Sequence, residues 1–139
     1  KRNTSEYAIR PYLTTHTDST LKVMLGWSED ENFHIRRLSC EGARPRLPWA
    51  KKLDIFIDEP NKIIPILENL KDDKSKYVQN SVANCINDIL KDNPEVGMKL
   101  IDNWNTKNIS KERKWIIKHA LRNLLKSKNG WAIASVESH

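Results

Sequence analysis

The sequence has only two cysteines and four glycines, and each scarcity excludes a class of protein. Cys40 and Cys85 both fall in apolar-patterned stretches, which suits buried thiols in a reducing compartment better than a disulfide scaffold. There is no Cys-x-x-Cys pair, and His16, His34, His119 and His139 are scattered without ligand spacing, so no metal site is expected. So few glycines form no Gly-rich loop, which removes P-loop and dinucleotide sites. No apolar run approaches the roughly 20 residues of a membrane-spanning helix. Nor does the start read as a basic-then-apolar leader, so a cytoplasmic setting is expected. The Asn-x-Ser triplets beginning at Asn3 and Asn108 are then chance matches. Because the first residue is Lys1, the chain is expected to be part of a longer one.

What is present is one domain's worth of chain, 139 residues with 38% hydrophobic and 30% charged residues and a net charge of +6. Charge is unevenly spread. Residues 101–139 hold eight basic groups against three acidic ones, and Glu112 is the sole acid between Lys107 and Lys128. Such a stripe, with Lys114, Lys118 and Arg122 at its centre, is either a solvated helix face or a contact for a polyanion such as nucleic acid.

Apolar spacing is helical nearly throughout. Tyr77, Val78, Val82, Cys85, Ile86, Ile89 and Leu90 recur every three or four residues, as do Trp115, Ile116, Ala120, Leu121, Leu124 and Leu125. Ile63 to Leu70 fits a shorter helix with Pro65 in its first turn, where a missing N–H costs nothing. Turn-like breaks at 42–48, 58–60, 71–75, 92–94 and 103–110 cut the chain into helices of ordinary length. An all-α fold of stacked antiparallel helix pairs is the expected result. Self-comparison adds a repeat: Asp30 to Ser39 lines up with Asp73 to Val82, 43 positions later. Periods of roughly 40–47 residues belong to HEAT and armadillo solenoids, whose concave face is their binding surface.

Within the helix predicted from about Tyr77 to Lys91, Asn80, Ser81, Asn84, Asn87 and Asp88 form one continuous polar stripe. These short polar side chains are poor helix formers because they compete for the backbone. A merely wet face elsewhere in this chain uses Lys, Glu, Gln or Arg. The stripe is therefore hydrogen-bonded to something: a neighbouring repeat, as an asparagine ladder, or a ligand held by Asp88 and its amides. The preceding repeat carries Arg36, Arg37, Glu41, Arg44, Arg46 and Trp49. Two prolines stiffen the loop after Glu41 and fix where the later side chains point. This block reads either as a structural ion-pair corner with Trp49 in the core, or as a phosphate contact built from arginine forks.

Three segments carry a resemblance. Ser5 to Leu13, Arg36 to Trp49, and Ser81 to Ile89 resemble the motifs of the DNA alkylation repair glycosylases with HEAT-like repeats, nearer the AlkC branch than the AlkD branch. The likeness covers roughly residues 5–126. The Arg-Arg…Glu-Gly-x-Arg-Pro-Arg-x-Pro-Trp and Ser-Val-Ala-Asn…Asn-Asp blocks are its specific parts. It implies excision of 3-methyladenine- or 3-methylcytosine-type bases by N-glycosidic hydrolysis, on double-stranded DNA bent rather than opened by a deep base-flipping pocket. It implies no metal and no cofactor.

An alkylated base is already cationic and leaves with little acid assistance. The transition state instead needs negative charge beside a developing oxocarbenium sugar, and a positioned water. With that implied chemistry, Asp88 is the expected catalytic carboxylate, with Glu41 a second and Glu6, from the first helix, a third. Trp49 is expected against the sugar or the cationic base, with Asn84 and Asn87 as further lesion contacts. Arg37, Arg44 and Arg46 would hold phosphates, and Lys114, Lys118 and Arg122 the flanking backbone. Residues 1–128 are read as the repeat domain, expected as a monomer and as a fragment of a longer array. Residues 129–139 are read as a tail without helical period. The alternative is a non-catalytic HEAT-like module that binds DNA or protein.

Overall fold

The computed structural model describes residues 2–139, with side chains from Ser5 onward; Lys1 and the side chains of Arg2, Asn3 and Thr4 lie outside the described residues. Ten α-helices succeed one another, and no strand occurs among the described residues. Helix α1 spans Arg2–Thr15, α2 Thr17–Trp27 and α3 Phe33–Glu41. Then come α4 at Asp54–Asp58, α5 at Ile64–Leu70 and α6 at Lys76–Asp92. Helices α7 at Pro94–Trp104, α8 at Lys111–Ala120, α9 at Arg122–Lys126 and α10 at Gly130–Glu137 complete the chain.

Local chemistry sets most boundaries. Asn32, Ser75, Ser110 and Asn129 cap α3, α6, α8 and α10, each side-chain oxygen accepting a backbone N–H of the first turn. Prolines open α5 and α7, where the absent donor costs nothing. Helix α6 is the centre of the molecule, packed on α3, α8, α7 and α5. Its Val78, Val82, Cys85, Ile86 and Ile89 are essentially sealed from solvent. Each such aliphatic contributes about 1.5–3 kcal/mol on burial. Helices α3, α6 and α8 therefore form one continuous row. Helix α2 packs on α3 and α5, and α5 on α6, so α2 and α5 back the row. Trp104, 1% exposed, ties α7 to α5 through Nε1–H donating to Glu68 at 3.0 Å.

A close approach of two helices depends on one glycine. A Cβ at Gly42, just beyond α3, would lie 2.8 Å from Ile9 Cγ2. Glycine there lets α1 lie against the end of α3 and bring Glu6 and Arg10 to the same place.

Two expectations change. The apolar pattern from Trp115 to Leu125 predicts one helix, yet the helix breaks at Leu121 (φ −92°, ψ 5°) into α8 and α9. The carbonyls at the break are satisfied from outside the ladder: His119 O accepts Arg122 Nη1 at 2.7 Å, and Ala120 O accepts Asn87 Nδ2 at 3.1 Å. Residues 129–139, expected to lack helical period, contain α10, which packs on α8 and α9 with Ala132 and Ser135 buried. No helix of the described residues is long and apolar enough to cross a membrane.

Candidate active site

The carboxylates of Glu6, Glu41 and Asp88 come from α1, α3 and α6, and arginines thread them into one chain of alternating charge. Arg37 hydrogen-bonds Glu6 through Nη1, and its Nη2 lies 3.4 Å from Glu41 Oε2. Arg44 donates from Nη1 to the same Glu41 oxygen at 3.1 Å. The other side of its fork grips Asp88, with Nε to Oδ2 at 3.0 Å and Nη2 to Oδ1 at 3.3 Å. The Arg46 backbone N–H adds a donor to Asp88 Oδ2 at 3.3 Å, and Ser81 Oγ donates to Glu41 Oε1 at 2.7 Å. All three carboxylates are buried. The arginines lie where a cation would sit, and no group of His, Cys, Asp or Glu among the described residues is arranged to hold a metal ion.

Local folding explains the convergence. Glu41 ends α3, where the helix dipole disfavours an anion, and Arg37 one turn back and Arg44 three residues on offset that. The loop from Gly42 to Leu53 is held by Arg10 of α1. That guanidinium donates to the carbonyls of Gly42 at 3.0 Å, Arg44 at 2.8 Å and Lys51 at 2.8 Å. Tyr7 adds its hydroxyl to the Pro48 carbonyl at 3.2 Å. Arg10 was not among the expected site residues. Its signal is an arginine flanked by Ile9 and Pro11 in the first motif, a buried cation in disguise.

Burial raises the Asp88 carboxyl above the ordinary carboxylate value, while the Arg44 hydrogen bonds and charge pull it back. Burial likewise raises Glu6, with Arg37 opposing and Glu41 adding to the rise. Burial works against the Arg44 guanidinium, but Asp88 and Glu41 carry it well above its usual value. Burial, then the neighbouring Arg44, lowers Arg10 to about 10, still cationic at neutral pH.

Trp49 is 97% exposed at φ 66°, which excludes a place in the core. A bulky residue in the left-handed region is strained, and here its indole stands in solvent and lines a cavity of about 730 Å³. Arg10, Tyr7, Pro11, Lys51 and Leu53 line the same cavity. A second cavity, of about 320 Å³, is lined by Glu6, His34, Leu38 and Tyr77, and the Arg37 guanidinium stacks over the Tyr77 ring at 4.5 Å.

The remaining expected residues separate. Asn87 is committed to the Ala120 carbonyl, and Asn84 Oδ1 accepts from Arg122 Nη2 at 3.0 Å. Part of the asparagine stripe is thus a tie between repeats. The arginines expected on phosphates are each paired with a carboxylate. Arg46 forks onto Asp92 with two bonds of 2.7 Å, and its side chain keeps 37% exposure against 10% for Arg44 and 16% for Arg37. Lys114 and Lys118 line a small cavity beside α10 with Asn105 and Ser135, apart from the carboxylates.

Stacked helices with an arginine-braced carboxylate cluster between α1, α3 and α6 define a HEAT-like repeat protein with a polar site. The chain belongs to the DNA alkylation repair enzyme family, whose model matches residues 3–124. It is 45% identical over 132 residues to an uncharacterized protein, YhaZ, of Bacillus subtilis (strain 168), covering 95% of this chain and 36% of that one. The alkylpurine DNA glycosylase AlkC of Pseudomonas fluorescens, solved bound to DNA containing an abasic site analog, superposes with a TM-score of 0.88 at 47% identity. That match covers 94% of this chain and 36% of AlkC. AlkD2 from Streptococcus mutans is similar at a TM-score of 0.68 and 30% identity, over 84% of this chain and 54% of its own. Within the superfamily the likeness to AlkC thus exceeds that to AlkD2. The chain spans about a third of the length of YhaZ and AlkC.

Proposed function

We propose that this chain forms the lesion-facing part of a DNA glycosylase that hydrolyses the N-glycosidic bond of cationic alkylated bases, of the 3-methyladenine and 3-methylcytosine type. One observation carries the reading: Glu6, Glu41 and Asp88 converge from three helices into one arginine-linked cluster. The family and the likeness to AlkC support it. The partner is alkylated double-stranded DNA, met by a monomer in the bacterial cytoplasm.

The chemistry is set by charge. As the bond to a cationic base lengthens, positive charge moves onto the sugar, and a carboxylate fixed in a water-poor site stabilises it more than solvent does. Asp88 takes this role and orients or deprotonates the attacking water. Glu41, whose oxygens face Arg37, Arg44 and Ser81, contributes fixed negative charge. Glu6 contributes it from the edge of the smaller cavity. Trp49 covers the sugar or the base, its quadrupole favouring the cation.

The test is release of methylated base from methylated duplex DNA. The Asp88→Asn variant is expected to lose roughly 100-fold or more in rate while keeping its affinity for undamaged DNA. Full activity in that variant would remove Asp88 from the mechanism. Salt-sensitive DNA binding by the unaltered chain without any base release would favour a non-catalytic module.

A further inference from the structure

Arg44 bridges Asp88 and Glu41 from inside the molecule, as Arg37 bridges Glu6 and Glu41 nearer the surface. We infer that Arg44 is a positioning residue for the hydrolysis, fixing Asp88 and Glu41 in place, and not a contact for DNA phosphate. The inference rests on the glycosylase reading above.

Every edge of the Arg44 guanidinium is in use. Nε and Nη2 hold the two oxygens of Asp88, and Nη1 holds Glu41. The fork matches a carboxylate side-on, a geometry that fixes direction as well as distance. The side chain is 10% exposed, so reaching a phosphate would strip buried Asp88 of its guanidinium and leave Glu41 with only Arg37 and Ser81. Its backbone is equally fixed. Arg10 holds the Arg44 carbonyl at 2.8 Å, and the next two residues are pinned by Leu53 N–H on the Pro45 carbonyl at 3.0 Å and by the Arg46 N–H on Asp88. Arg46 differs in kind, with its fork on Asp92 and more than a third of its side chain in solvent.

The groups facing Asp88 leave this task to no other side chain. Arg10 from α1 acts on it through charge alone: its Nη1 and Nη2 bond backbone carbonyls, and its buried Nε makes no hydrogen bond. Glu41 from α3 shares Arg44. On α6 itself Cys85 lies beneath, its thiol raised by the Cys40 hydrogen bond and by burial, and Lys91 is a more distant charge. From the loop, the Arg46 N–H supplies one hydrogen bond. Without Arg44, a carboxylate that burial already pushes upward would keep only that bond and take up a proton more readily. A protonated Asp88 neither stabilises the sugar cation nor activates water.

The experiment compares Arg44→Gln and Arg44→Lys with the unaltered chain in three measurements. The first is the pH dependence of single-turnover base release from 3-methyladenine duplexes between about pH 5 and pH 9. Arg44→Gln is expected to move the acid limb upward by roughly one unit or more and to lower the neutral rate roughly 10–100-fold. Arg44→Lys, which keeps the charge but not the fork, recovers part of both. The second is the salt dependence of binding to undamaged duplex, whose slope stays unchanged in both variants. An unmoved acid limb, or a salt slope lowered by about one with uniformly weaker binding, overturns the proposal. The third is carbon-13 NMR titration of the Asp88 carboxyl, which does not depend on activity and uses Arg44→Lys if Arg44→Gln fails to fold. There the titration is expected to rise, and an unchanged one overturns the inference. A chain that releases no base at all sinks the glycosylase reading instead, while this titration still decides the role of Arg44.

Discussion

Asn87 donates its amide to the Ala120 carbonyl at 3.1 Å and so joins α6 to the break between α8 and α9. It stands one residue before Asp88 yet serves the stack of repeats. Asn87→Ala leaves a buried carbonyl without its donor, which costs about 1–3 kcal/mol. Urea denaturation should show that loss as a lower midpoint with an unchanged slope. Base release per folded molecule should fall far less than for Asp88→Asn. A normal midpoint would mean that the Ala120 carbonyl finds another partner.

Trp49 makes the opposite case, a residue that costs the fold something and gives it nothing. Its indole is 97% exposed at φ 66°, so it buries no area and occupies a conformation that glycine adopts freely. Trp49→Gly is expected to keep the melting temperature or raise it slightly, the relief of strain being about 1 kcal/mol less the entropy glycine adds to the unfolded chain. Base release should drop markedly. A variant with both lower stability and normal release would show that the indole packs in solution and has no part in the site.

Much of this was legible in the chain itself. The all-α class and the extent of α6 come from apolar spacing, because α6 is packed on several sides and its sealed positions recur with the helical period. The motifs single out Glu6, Glu41 and Asp88, and the fold brings these three carboxylates together. What sequence could not supply was the partner of each arginine. A guanidinium fork suits phosphate and carboxylate alike, and Arg44 and Asp88 are far apart along the chain, so only the fold pairs them. The break at Leu121 was hidden because good helix formers continue through it, and outside donors settle the matter. Helix α10 was hidden because its buried positions are the small Ala132 and Ser135 while Trp131 and Ile133 stay half-exposed, which leaves no apolar stripe to read. Its one clear signal was the cap, Asn129.

Acid stability should depend on Asp72, which joins the turn before α6 to the start of α8. Arg113 bonds its two oxygens at 2.9 and 2.6 Å, and Ser110 Oγ adds a third donor at 2.6 Å. The Arg113 bonds, against some desolvation, hold its carboxyl below the usual aspartate value. A carboxylate lowered in the folded state stabilises it above the unfolded pKa, and that contribution vanishes as pH falls through the folded pKa. Asp72→Asn should therefore melt earlier than the unaltered chain at neutral pH, with the two curves converging below about pH 4. Curves that stay parallel down to pH 2, on the order of two units lower, would show that Asp72 contributes through packing alone.

The basic C-terminal stripe should divide in function as it divides in space. Arg122 bonds Asn84, which lies one turn from Asp88 on the same face of α6. Lys114 and Lys118 instead flank a small cavity beside α10. If DNA lies along the face that carries Asp88, neutralising Arg122 removes one phosphate contact and neutralising the two lysines removes none. Arg122→Gln should weaken binding to undamaged duplex about uniformly across sequences and lower the salt slope by about one. The double change of Lys114 and Lys118 to Gln should leave the slope near that of the unaltered chain. The reverse ranking in a salt titration would place the duplex across the α8–α10 end and away from the carboxylates, where no hydrolysis could occur.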